Sequence, residues 1–207
     1  MFITFEGIDG SGKTTQINLL SARLRSLGID VLALREPGGN DVSENIREVL
    51  LSNTKEIGIR AELLLFVAAR AQLVEKVIEP ALHAGKLVIC DRFIDSSVAY
   101  QGFGRGIDIS DVHTCNKFAT NNLVPNLTFF LDVPTTVGLG RTNARGENVP
   151  DRMESAGENF FDNVRQGYLS IAESDPDRFI VLDGGATPEE IHDNIWVSVY
   201  KQVKQHH

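Results

Sequence analysis

Residues Gly7 to Thr14 spell G-x-x-x-x-G-K-T, and an apolar run from Met1 to Phe5 leads straight into them. Behind them Ile17, Leu20, Leu24 and Leu27 recur at helical spacing. Strand, glycine loop and helix in that order are the context that turns a short pattern into a phosphate-binding loop. The glycines let the backbone curl until several N–H groups point into one concavity. The helix N-terminus adds partial positive charge and Lys13 a full one. Gly7, Ile8, Asp9, Gly10, Ser11, Gly12, Lys13, Thr14 and Thr15 are therefore expected to hold the phosphates of a nucleoside triphosphate, with the Thr14 hydroxyl on Mg²⁺.

Five apolar runs predict strands: Phe2–Glu6, Val31–Leu34, Leu87–Asp91, Leu127–Val133 and Phe179–Leu182. They are continuous rather than alternating, as in strands buried on both faces of a parallel sheet. Helical patterns separate them. The first ends at Gly28; a long one from Ile59 to Ala84 contains Pro80, which should kink it or begin a new turn. Thr187-Pro188-Glu189-Glu190 predicts a capped helix start. The fold class expected is α/β: a P-loop NTPase fold whose five-stranded parallel sheet carries helices on both faces, as a single domain over residues 1–207.

The formal charge of −8 comes with no basic run, which argues against nucleic acid as a partner. Cys90 and Cys115 suit reduced thiols. The longest apolar stretch, Leu63 to Ala69, is far too short to span a membrane, and no signal peptide precedes the first strand. A cytoplasmic protein is expected.

In folds of this kind the ligand crevice lies at the carboxyl ends of the strands. The second strand delivers Arg35-Glu36-Pro37-Gly38-Gly39, the third Asp91-Arg92-Phe93 and the fifth Asp183-Gly184-Gly185-Ala186. An acceptor that is itself a phosphate needs arginines to offset repulsion between two anions, and Arg35 and Arg92 can grip one bidentately. Such an acceptor is already largely dianionic near neutrality and needs no general base. Catalysis is then positioning plus electrostatics. Asp91 is the candidate partner of Thr14 on Mg²⁺. Phe66 and Arg70, four apart, share a helix face on which a base could stack and be read, although a Phe on a long helix is more often core. Ser96-Ser97-Val98-Ala99-Tyr100-Gln101-Gly102 adds hydroxyls and an aromatic. Residues 140–152 hold Arg141, Arg145 and Arg152 with few apolar residues; this suits either a solvated loop or a mobile lid, about 141–155, that closes over the triphosphate.

Together these stretches resemble the thymidylate kinase family of nucleoside monophosphate kinases. The matching pieces are Phe5 to Thr15, Arg35 to Gly39, Phe66 with Arg70-Ala71-Gln72, Asp91-Arg92-Phe93, Ser96 to Gly102, Leu131-Asp132-Val133-Pro134 and Phe161…Arg165…Tyr168. The resemblance implies transfer of the γ-phosphoryl of ATP to dTMP, with Mg²⁺, by a homodimer. It puts Lys13 and Thr14 on ATP, and Arg35 and Arg92 on the dTMP phosphate. Phe66, Arg70 and Ser97 fall near thymine, Gln101 among the residues that bind dTMP, Tyr100 where a 2′-hydroxyl would lie, and Asp9 near the acceptor sugar and phosphate. With Gly10 in the loop there is no arginine there, so the lid must supply it, from Arg145 or Arg152 in the bacterial arrangement. Asn40 and Ser43 depart from the Thr and Gly usual in the family. The alternatives are a deoxynucleoside kinase, a kinase for another monophosphate, or a non-enzymatic ATP-binding module. A GTP switch lacks its acid at Asn116-Lys117-Phe118-Ala119.

Overall fold

The strand that precedes the glycine loop, β1 (Phe2–Glu6), lies in the middle of a five-stranded sheet. Its neighbours are β3 (Leu87–Asp91) and β4 (Leu127–Asp132), with β2 (Val31–Arg35) and β5 (Phe179–Asp183) at the edges. All four pairings are parallel. The computed structural model describes residues 1–144, 152–153 and 156–206.

The strands follow the expected runs with small differences at their ends. β2 and β5 each extend one residue further, to Arg35 and Asp183, because these polar residues still pair in register, Arg35 with Asp91 and Asp132 with Asp183. β4 stops at Asp132 rather than Val133. Alternation along β1 sends Ile3 and Phe5 to one face and Phe2 to the other. Helices cover both faces, which is why apolar residues make up most of each strand.

α1 (Lys13–Ser26) packs Leu20 and Leu24 on the first face. It ends where Gly28, at φ 80°, turns the chain: the Gly28 N–H donates to the Arg25 carbonyl at 2.9 Å and that of Ile29 to the Leu24 carbonyl at 3.2 Å, a Schellman closure. α2 (Asp41–Leu51) follows β2, and α3 (Ile59–Leu73) follows α2. The long pattern to Ala84 is not one regular helix. It widens into a π-helical turn at Val74–Ile78 before α4 (Glu79–His83). Pro80 explains the interruption, since it brings no N–H and its ring crowds the carbonyl four residues back.

After β3 come α5 (Ile94–Ser97), a second π-helical segment at Val98–Gly104, and α6 (Ile109–Thr120). α7 (Thr135–Ala144) and α8 (Glu158–Ser174) follow β4, and α8 lays Phe161, Val164 and Tyr168 against Phe130 on the second face. α9 (Pro188–His206) returns Ile191, Ile195 and Val199 to the first face. At its start, where the sequence predicts a cap, the Thr187 N–H donates to Glu190 at 3.0 Å and the Glu190 N–H to the Thr187 hydroxyl at 3.3 Å, a reciprocal arrangement. Among the described residues no helix is long and apolar enough to cross a membrane.

The core on the first face hangs on α1. Leu20→Ala should destabilise the fold by about 2–5 kcal/mol, whereas Leu19→Ala, at a position 38% exposed, should cost well under half as much. Urea unfolding of the two variants checks this; equal losses would mean that α1 does not anchor the core.

Candidate active site

The carboxyl end of β1 runs into the glycine loop and α1 begins directly behind it. Gly10 sits at φ 76° and Gly12, which opens α1, at φ 100°. A Cβ at Gly10 would stand 2.3 Å from the Gly138 carbonyl oxygen, so only glycine permits the loop to lie this close to α7. Lys13 folds back over the loop, and its ammonium donates to the carbonyls of Gly7 and Ile8, each at 3.1 Å. Burial, helped by the Arg92 charge, lowers its pKa. Thr14 donates to Asp91 Oδ2 at 3.5 Å, while Asp91 Oδ1 is buried with no hydrogen-bond partner. An orphaned carboxylate oxygen beside a hydroxyl fits Mg²⁺, which takes one or two protein oxygens and completes its shell with waters and phosphates.

These groups border a cavity of about 270 Å³ lined by the loop, Arg35, Asp91 and Arg92. A second cavity of about 100 Å³ is lined by Phe66, Arg70, Ser97, Tyr100 and Gln101. Asp9, Glu36, Arg47 and Arg92 line both. The two spaces therefore meet at one carboxylate-and-guanidinium junction.

Arg92 commands that junction from a backbone at φ 70°. Its guanidinium donates to the Gly7 carbonyl and to Asp9, each at 2.8 Å, and lies 5.0 Å from the centre of the Tyr100 ring. Burial alone would raise the Asp9 carboxyl, but Arg92 and Lys13 outweigh it and hold Asp9 below the ordinary range. The Tyr100 hydroxyl is buried without a partner, and burial raises its pKa. The turn that presents Arg92 is pinned from beneath by Glu6. This carboxylate accepts from the Phe93 N–H at 2.8 Å, the Ser96 hydroxyl at 2.6 Å and the Tyr168 hydroxyl at 2.7 Å. Burial, with Asp95 nearby, pushes Glu6 up to about 7.

Arg35 donates to the Pro37 carbonyl at 2.9 Å and to both oxygens of Glu44 at 3.0 and 3.1 Å. Phe66 and Arg70 do share a face and line one cavity, Phe66 half-buried and Arg70 only 2% exposed. Arg70 donates to Glu36, Ser97, Asn116 and the Phe93 carbonyl at 2.6–2.8 Å. Glu36 keeps its other oxygen without a partner, and burial raises its pKa.

The arginines of the expected lid separate. Arg141 donates to the carbonyls of Gly10 and Gly184, at 3.3 and 3.2 Å. Arg152 donates to Glu62 at 2.6 Å and to the Leu50 carbonyl at 3.0 Å, and does not line either cavity. Arg145 and most of the stretch about 141–155 lie outside the described residues. Arg47 lines both cavities and Glu62 holds Gln101 of the smaller one although no motif marks either, while Glu6 falls within the Phe5 to Thr15 stretch without its place beneath the Arg92 turn showing there. Glu6 reads as the end of an apolar strand, and Arg47 and Glu62 as ordinary polar positions on helices.

A sequence model of the thymidylate kinase family matches residues 5–195. The thymidylate kinase of Kosmotoga olearia is 50% identical over 195 residues, spanning 94% of this chain and 93% of its own. That of Thermosipho africanus is 48% identical over 206 residues, spanning 100% and 98%. The crystal structure of thymidylate kinase from Ehrlichia chaffeensis superposes with a TM-score of 0.78 at 37% identity, covering 96% of this chain and 98% of that one.

Glu6 should give stability a distinctive pH dependence. Its carboxyl titrates at about 7 in the fold against 4.5 ordinarily, so the native state holds a proton that the unfolded chain releases. Its contribution is complete below the ordinary value and is lost as pH rises to about 7, on the order of 3 kcal/mol. Urea midpoints of the native chain and Glu6→Gln, compared between about pH 5 and 7.5, should converge or cross as pH rises, because only the native chain loses this term. A difference independent of pH would show that Glu6 is not titrating there.

Proposed function

We propose a division of labour for this chain, which belongs to the thymidylate kinase family and transfers the γ-phosphoryl of ATP to dTMP to give dTDP. The larger cavity is the donor site. The amides of Gly7 to Thr15 and the Lys13 ammonium take the triphosphate. Thr14 and Asp91 hold Mg²⁺, which when bound offsets charge on the phosphate oxygens. The smaller cavity is the acceptor site. Phe66 stacks on thymine, Arg70, Ser97 and Gln101 address its edge, and Tyr100 packs under the deoxyribose.

The single observation that carries this reading is that the two cavities meet at Asp9 and Arg92. Arg92 there faces both the acceptor phosphate and the γ-phosphate, with Arg35 and Arg47 beside it. Asp9 addresses the acceptor sugar and phosphate. The acceptor is already an anion, so no residue needs to remove a proton. Excess positive charge at the junction offsets the repulsion between two phosphates. The lid, about 141–155 within a single domain of 1–207, adds a guanidinium from Arg145 or Arg152. The ion pair of Arg152 with Glu62 favours Arg145 for the phosphoryl group and Arg152 for seating the lid. Neither nucleic acid nor a membrane is a partner in this reading, and the enzyme works in the cytoplasm.

We assign the chain a homodimer as well. α3 and α6 pack together and expose Leu64, 58% accessible, and Phe118, 89% accessible. A second copy of the same face would cover them.

Three measurements test these readings. With Mg-ATP and a panel of nucleosides and monophosphates, dTMP should be the preferred acceptor, and chelating the metal should abolish turnover. Arg70→Ala should raise the KM for dTMP at least tenfold, since an unmet buried edge costs about 1–3 kcal/mol, while the KM for ATP changes little. Phosphorylation of thymidine in place of dTMP, or an unchanged KM, would overturn the acceptor assignment. In sedimentation velocity the chain should run as a dimer and Phe118→Asp as a monomer; a monomeric native chain would remove the dimer.

A further inference from the structure

Glu62 lies on α3, 1% exposed, and its carboxylate collects donors from three side chains. Oε1 accepts from Gln101 Nε2 at 2.9 Å and Arg105 Nε at 3.2 Å; Oε2 accepts from Arg105 Nη2 at 3.3 Å and Arg152 Nη1 at 2.6 Å. Burial alone would favour the neutral acid, but Gln101, Arg105 and Arg152 outweigh it and hold the pKa below the ordinary value. Glu62 is thus ionised and can only accept.

An acceptor-only partner removes the usual ambiguity of a buried amide. Were Gln101 turned over, its carbonyl oxygen would face a carboxylate oxygen at 2.9 Å, two lone pairs in contact. Gln101 is itself 2% exposed and lines the smaller cavity. With its NH₂ committed to Glu62, the carbonyl is the end left for a ligand. Ser97, 1% exposed on the same cavity, accepts from Arg70 at 2.8 Å and so keeps its own O–H to donate. The wall offers one donor and one acceptor, both fixed by charged residues behind them. The π-helical segment Val98–Gly104 carries Gln101 into this arrangement just after Ser97 closes α5.

We propose that Glu62 is a positioning residue for base selection: by locking the Gln101 amide, it makes the acceptor cavity demand a ring N–H beside a carbonyl. Thymine and uracil present N3–H next to O4. Cytosine presents a bare N3 next to an amino group, the opposite polarity at both points. A site built to bond one polarity rejects the other because its buried groups go unpaired. The inference rests on the reading of the smaller cavity as the dTMP site.

The test compares dTMP with 5-methyl-dCMP, which keeps the methyl group, sugar and phosphate and reverses only the edge. In Glu62→Gln the amide at position 62 can donate or accept, so Gln101 is free to turn. The ratio of kcat/KM for dTMP over 5-methyl-dCMP should fall at least tenfold relative to the native chain. Loss of packing alone would lower both values and leave the ratio. An unchanged ratio in a folded variant overturns the inference. Should Glu62→Gln fail to fold, neutron diffraction of the native chain with dTMP decides. Deuterium density on the Gln101 nitrogen facing Glu62 is expected, and density facing the base overturns the proposal. Gln101→Leu separates the two levels of the argument. If it leaves the KM for dTMP unchanged, the base does not lie at this wall and the cavity reading itself fails. If it lowers the ratio while Glu62→Gln does not, only the role of Glu62 fails.

Discussion

For the transfer proposed above, two phosphates must be brought within bonding distance, and the cation between them has to be held in place. In that reading Arg92 meets the demand from an unfavourable backbone. A left-handed conformation costs a residue with a side chain roughly 1–2 kcal/mol, and Arg92 adopts it at φ 70°. The turn persists because it is bonded on each side: the Arg92 N–H donates to the Phe5 carbonyl at 2.9 Å and the Phe93 N–H to Glu6 at 2.8 Å. Glu6 is buried against its own preference for water to do this. Strain at one residue and desolvation at another are both directed at aiming a single guanidinium.

The smaller cavity follows the same logic by a different route. Arg70 donates four hydrogen bonds to protein partners: Nε to Glu36, Nη2 to the Phe93 carbonyl, and Nη1 to Ser97 and Asn116. Such a guanidinium cannot swing between rotamers. A ligand that meets the pocket finds side chains whose ordering cost was met during folding, which is how preorganisation raises affinity.

The sheet and the donor loop were legible in the sequence because both write themselves locally. A strand buried on two faces is a continuous apolar run, and the loop needs its glycines, lysine and threonine at fixed spacing. The charged strand ends could be read as well, since Arg35 and Asp91-Arg92 interrupt those runs. What escaped was long-range. Glu6 and Tyr168 are 162 positions apart, and Glu62 and Arg152 are 90 apart. No periodicity encodes such pairings. Glu62 looks like any acid in the first turn of a helix, and Arg152 like one charge among many in a polar stretch. The break after Leu73 was half legible: Pro80 announces a disturbance, but not that the turn before it widens.

The approach of α7 to the donor loop has a consequence for how enzymes of this kind can be altered. The Gly138 carbonyl occupies the space that any side chain at position 10 would need, at 2.3 Å from where a Cβ would stand. A guanidinium in the loop and the present seat of α7 are mutually exclusive. Placing a guanidinium in the loop would thus require rebuilding α7, not a single exchange. One contact between two glycines decides whether the loop can carry a side chain at all at this position.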